Sequence, residues 1–110
     1  MKRRFEEFND GVAIVCTPND DDKLEIRFKG LRFGNENVSV TRHYAARAAD
    51  TRADKVIHIL KQTEIKPHDV VVIGEDQYDV DKVDQIKETM PPITRLTLVE
   101  FEKHRKKEFV

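Results

Sequence analysis

The residues able to do chemistry are few and scattered. Four histidines, His43, His58, His68 and His104, and one cysteine, Cys16, are the candidates for metal ligation or nucleophilic catalysis. None stands in HxxxH, CxxC or HExxH spacing, the patterns that bring ligands together on one element, so neither a metal centre nor another cofactor is expected. His58 lies within an apolar stretch and reads as one side chain on a half-exposed strand face. Cys16 closes an apolar run and behaves as a small hydrophobe unless a base activates it. A Cys–His pair stays open on spacing alone, with nothing further in its favour.

The acidic clusters are equally mute. Asp20-Asp21-Asp22 is not followed by the ligand series of a calcium loop and reads as a solvated turn. Asp76, Asp79, Asp81 and Asp84 alternate with apolar residues, which suits the wet face of a strand better than a catalytic carboxylate pair. No GxGxxG or P-loop precedes a helix whose N-terminus could receive a phosphate. An enzyme is not expected.

Positive charge concentrates in two places. Arg42, Arg47 and Arg52 recur every five residues, which is not a helical face repeat, so a solvated surface is their default role. Lys103, Arg105, Lys106 and Lys107 make the end of the sequence basic. A frayed, hydrated terminus is the plain reading of that tail, and contact with a polyanion or an acidic partner the sharper one. A small barrel that binds nucleic acid would need a positive groove with stacking aromatics. Phe28 and Phe33 instead sit at core parity.

The whole chain sets the frame for these groups. Its 110 residues suit one domain, and 37% charged residues, against an average near ~25%, imply a small core under a large ionic surface. Twenty basic and twenty-one acidic residues nearly cancel, which argues against a generic nucleic-acid coat. A lone cysteine cannot form an intramolecular disulfide, so the fold needs no oxidising compartment. No apolar run nears the ~20 residues that cross a bilayer, and the N-terminus lacks the apolar region of a signal peptide, so a soluble, membrane-independent protein is expected.

Periodicity supplies the elements. Val12–Thr17 is short, β-branched and bounded by Gly11 and Pro18, so a strand is predicted. Leu24, Ile26 and Phe28 alternate with charges and are expected on a core face. The alternation changes parity at Gly30, as a bulge would produce. Val38–Thr41 and Val56–Leu60 are predicted strands, separated by an alanine-rich stretch read as a short helix or ordered loop over residues 43–50. The β-branched run Val70–Ile73 suits a strand covered on both faces. It enters a hairpin through a four-residue loop, Gly74-Glu75-Asp76-Gln77, and a bent strand is expected after it. Arg95–Phe101 is the last strand. The sum is a mainly β chain: a small antiparallel barrel or sandwich of six or seven strands with one short mid-chain helix or loop. Residues 1–10 form an N-terminal arm, 11–102 the single β-barrel domain and 103–110 the basic C-terminal tail.

One ordered series looks familiar. Val40–Ala49, then Lys55–Ile59, then Asp69–Val80, and finally Pro91–Leu98 resemble, in order and texture, small head–tail joining proteins of tailed bacteriophages. These are the head-completion or stopper proteins and the related minor capsid proteins. The resemblance spans roughly residues 11–102. It implies a small β-barrel with a short mid-chain insertion, assembled by self-association into a ring between the portal and adaptor proteins above and the tail proteins below. It also implies a virion location in the neck, after assembly in the cytoplasm of an infected host. In that family the mid-chain loop can project into the channel and help retain packaged DNA. Carried onto residues 43–54, this makes Arg42, Arg47 and Arg52 candidates to face DNA or a neighbouring subunit. The alternatives are a nucleic-acid-binding barrel and a tail terminator or completion protein of the same virion.

Overall fold

Closure is the outcome of the strand order. The computed structural model describes residues 4–36, 54–102 and 105–110. Among the described residues there are eight strands: β1 (Arg4–Phe5), β2 (Gly11–Pro18), β3 (Leu24–Asn35), β4 (Lys55–Leu60), β5 (Val70–Ile73), β6 (Asp76–Ile86), β7 (Thr89–Met90) and β8 (Ile93–Glu100). Six of them close an antiparallel barrel in the order β2-β3-β4-β8-β6-β5. The seam is β2 against β5, where Ile14 faces Val72 and Cys16 faces Val70. β1 and β7 form a separate parallel pair, Arg4 with Thr89 and Phe5 with Met90. The short segment predicted over residues 43–50 and the strand predicted at Val38–Thr41 lie outside the described residues.

Alternation fills the barrel. Ala13, Val15, Phe33, Ile57, Ile59, Val71, Val80, Leu96 and Leu98 point inward and are buried together. A second cluster, Cys16, Leu24, Val70 and Val72, lies on the outer face of the seam with Ile14 and Phe101 packed against it. This is why Val70–Ile73 carries no polar alternation: Val71 belongs to the inner cluster and its neighbours to the outer one.

Two bulges explain where alternation misleads. In the β2–β3 pair Ala13 faces Leu31, Val15 faces Phe28 and Cys16 faces Ile26, so β3 carries extra residues at both steps. The first step contains Gly30, whose φ of 68° lets the chain absorb the added residue where a side chain would be strained. The parity change read at Gly30 is this bulge. The second step flips the face between Ile26 and Phe28. Leu24 therefore joins the outer cluster, Phe28 packs against the inner one and Ile26 is 42% exposed, against its expected core position.

The hairpin turn is tighter than predicted. Ile73 pairs with Asp76, leaving only Gly74 and Glu75 in the loop. Gly74 has φ 61° at the first central position, the requirement of a two-residue turn whose twist matches its strands. β6 then bends at Asp81, where the register with β8 shifts between Val80 and Lys82. The last residues are tied down rather than frayed. Phe109 bridges Leu24, the Leu24 amide donates to the Glu108 carbonyl at 2.7 Å, and the Val110 amide to the Leu24 carbonyl at 3.0 Å. Gln77 clamps the same segment, donating to the Lys107 carbonyl and accepting from the Lys107 amide, both at 2.8 Å.

Leu96→Ala, which empties a fully buried inner position, is expected to lower unfolding free energy by about 2–5 kcal/mol in urea titration. Ile26→Ala on the same strand set should cost less than about 1 kcal/mol. Equal losses at the two positions would contradict the bulged register.

Candidate functional site

Three acid and base side chains from distant parts of the sequence meet on the outer wall. Glu6 follows β1, Glu36 is the first residue after β3, and His58 sits mid-way along β4. Ile57 and Ile59 face the core, so His58 must face outward, and the N-terminal arm crosses over it. The arm is held at both ends. The Glu6 amide donates to the Met90 carbonyl at 3.1 Å and the Asp10 amide to the Phe33 carbonyl at 2.9 Å, while Asp10 accepts from the Asn35 amide at 2.7 Å. His58 is consequently 5% exposed, a correction to the half-exposed face expected for it.

Gly34 makes the room. It pairs directly with His58 across β3 and β4, and a Cβ there would stand 2.4 Å from both the His58 Nε2 and the Glu7 carbonyl oxygen. The imidazole lies over that bare backbone, with Phe8 edge-on at a ring-centroid separation of 5.3 Å. Nε2 donates to the Glu7 carbonyl at 2.6 Å and has Glu6 Oε2 at 3.4 Å. Nδ1 has Glu36 Oε1 at 3.2 Å. That second contact has the distance of an ion pair but not the alignment of a hydrogen bond, so Nδ1 is buried without a hydrogen-bond partner among the described residues. Arg95, paired with His58 across β4 and β8, places Nε 3.4 Å from the same Glu36 oxygen. One donor atom from each of Glu6, Glu36 and His58 falls within 4.8 Å of the others. The arrangement can hold positive charge between two carboxylates.

Other ionisable groups are committed to structure. Buried Asp69 accepts from Thr17 Oγ1 and the Lys66 amide, both at 3.0 Å, and pairs with Arg27 at 3.4 Å. Burial raises the Asp79 carboxyl above its ordinary range, opposed by His68 at 3.8 Å. Burial, reinforced by the Asp69 charge, pushes the Cys16 thiol up as well. A raised thiol is a poor nucleophile, which fits its role in the outer cluster.

Of the residues singled out on charge, Arg105, Lys106 and Lys107 lie along one cleft. Arg42, Arg47, Arg52 and Lys103 lie outside the described residues. Arg105 is exposed. Lys106 Nζ donates to the Glu75 carbonyl at 2.6 Å. Lys107 Nζ pairs with Asp22 and lies 5.9 Å from the centre of the Phe101 ring. A mixed-charge cleft of about 630 Å³ runs beside this segment, lined by Asp21, Asp22, Lys23, Arg105 and Lys106 among others. The tail is therefore docked, where a solvated terminus was the plain expectation, and the Lys107 charge is balanced within the chain. The Glu6–Glu36–His58 cluster escaped the sequence because its members share no element. Spacing rules detect ligands on one helix or loop, not three segments brought together by an arm.

The chain matches no known protein family, no curated protein and no solved structure.

Two outcomes follow from this geometry. Gly34→Ala must displace the imidazole or the Glu7 backbone and should destabilise the fold by about 1–3 kcal/mol, with loss of the native His58 ring resonances in NMR spectra. Cys16 should resist thiol reagents in the native state and react fully in denaturant. Its folded pKa lies above the unfolded value, so the stability it lends is complete below the unfolded pKa of about 9 and is lost as pH rises through the folded one. Rapid native labelling at pH 8 would contradict this.

Proposed function

We propose that this chain is a structural protein of a tailed-phage neck, joining the DNA-filled head to the tail. The reading rests on the ordered resemblance over residues 11–102. The barrel that the resemblance implies is the architecture found. The observation that carries the reading is where the mid-chain segment is rooted. β3 and β4 are neighbours in the wall, and the Glu36 amide donates to the Val56 carbonyl at 2.8 Å, so the described residues on either side of 37–53 are held side by side. A segment rooted this way can project from a rigid body while the wall stays intact. In a ring of such barrels it would point toward the channel or a neighbouring subunit, which gives Arg42, Arg47 and Arg52 polyanionic or acidic surfaces to meet.

The ionic surface suits such a role. Mixed charges set register and orientation between subunits more than they add affinity, so copies stay apart until a template arranges them. A repeated heterologous contact then closes into a ring when its rotation allows. The portal and adaptor proteins supply the template and the tail proteins the opposite face.

Particles assembled without this protein, viewed by electron microscopy, should show heads that lose their DNA and tails left unattached. Infectious, tailed particles in its absence would overturn the proposal. Replacing Arg42, Arg47 and Arg52 together by Ala should leave purified barrels folded but reduce the fraction of filled heads. Strong retention of the isolated chain on duplex DNA, weakening steeply with salt, would favour the nucleic-acid-binding barrel instead.

A further inference from the structure

We propose that Glu6, Glu36 and His58 bind a divalent transition-metal cation of the zinc type, which fastens the N-terminal arm to the barrel wall. The inference is independent of the neck reading and rests on the buried ring nitrogen. His58 Nε2 donates to the Glu7 carbonyl at 2.6 Å, so Nε2 carries a hydrogen and a bound metal would use the Nδ1 lone pair. That lone pair is buried, makes no hydrogen bond among the described residues, and faces Glu36 Oε1 at 3.2 Å. Two lone pairs brought this close repel unless a positive centre lies between them.

A metal ion fits the disposition. Zinc binds imidazole nitrogen and carboxylate oxygen at roughly 2.0–2.2 Å, which puts two ligand atoms of one ion roughly 3 Å apart, with the oxygen off the axis of the nitrogen lone pair. The Nδ1–Glu36 contact has that distance and lacks hydrogen-bond alignment. Glu6, whose Oε2 lies 3.4 Å from Nε2 of the same ring, brings a second carboxylate into the cluster, within 4.8 Å. One imidazole and two carboxylates suit zinc, cobalt or iron(II) better than calcium, which prefers oxygen alone. Two negative ligands also balance a dication.

The surroundings resemble an outer ligand shell. A ligating histidine usually donates its other ring N–H to a carbonyl or carboxylate, and the Glu7 carbonyl takes that place. Arg95 Nε stands 3.4 Å from the same Glu36 Oε1 and orients that carboxylate. Gly34 and Phe8 fix the ring plane. A cleft of about 490 Å³, lined by Glu6, Phe8, Gly30, Leu31 and Leu60, borders the arm on the Glu6 side of the cluster. Because Glu6 belongs to the arm, Glu36 to the root of the mid-chain segment and His58 to the wall, one ion would join all three.

The test is titration of the full chain with Co²⁺ and Zn²⁺. Cobalt should give saturable visible absorption at one ion per chain, displaced by zinc. Zinc should raise the thermal midpoint and shift the His58 Nδ1 resonance in ¹⁵N-correlated NMR spectra. Glu36→Gln and Glu6→Gln keep side-chain volume, and each should weaken binding by roughly tenfold or more. Asp22→Asn, in the acidic turn, should leave it unchanged. Circular dichroism checks that each variant is folded. Absence of saturable cobalt absorption overturns the proposal. So does binding indifferent to both glutamine variants, or a His58 ring protonated at both nitrogens and unresponsive to zinc, in which case a proton fills the place assigned to the metal.

Discussion

Everything in this molecule depends on one requirement: each strand of the six-stranded wall must find partners on both sides. An open sheet of this size would expose two rows of unpaired backbone groups, and a core this small could not offset that. The requirement is met at the β2–β5 seam, where only Ile14, Val15 and Cys16 pair with Val70, Val71 and Val72. That seam is apolar on both faces. It is also where the outer cluster forms and where Phe101 and the last residues of the sequence lay themselves down. Closure, outer packing and tail docking are thus one event seen from three sides.

The same economy governs the opposite side of the barrel. His58 faces outward on β4, where an imidazole would ordinarily be wet. The arm converts that position into an interior one, and Gly34 provides the space by having no side chain. Burying a polar ring costs about 1–3 kcal/mol unless its nitrogens are satisfied. One nitrogen is satisfied by the Glu7 carbonyl. The other is met by Glu36 in ion-pair range, and on the arm Glu6 comes within 3.4 Å of the ring and Phe8 packs edge-on against it. Buried Asp69 belongs to a separate network, accepting from Thr17 on β2 and from the Lys66 amide of its own turn.

Most of the barrel was legible from residue order. Val12–Thr17, Val56–Leu60, Val70–Ile73 and Arg95–Phe101 are β-branched or alternating runs, and each falls on a strand, the last of which ends at Glu100. Gly30 revealed its bulge because a parity change at glycine has few other meanings. The second bulge, which exposes Ile26, left no such mark, since no glycine accompanies it. The tail escaped because its anchors are backbone groups and Gln77, and backbone pairing has no compositional signature. The buried cluster was invisible for a different reason. Glu6, Glu36 and His58 become neighbours only after the wall has formed and the arm has folded back, so their association is a tertiary fact with no local precursor.

The pairing of Glu36 with Val56 has one more implication. Because the two strands flanking residues 37–53 are already hydrogen-bonded partners, the hairpin they form is complete whatever connects it. A flexible peptide spliced in between them would cost only about 0.6 kcal/mol of loop-closure entropy per doubling of its length. The barrel is in this sense a socket, whose rim at Glu36 and Val56 is set by the wall itself.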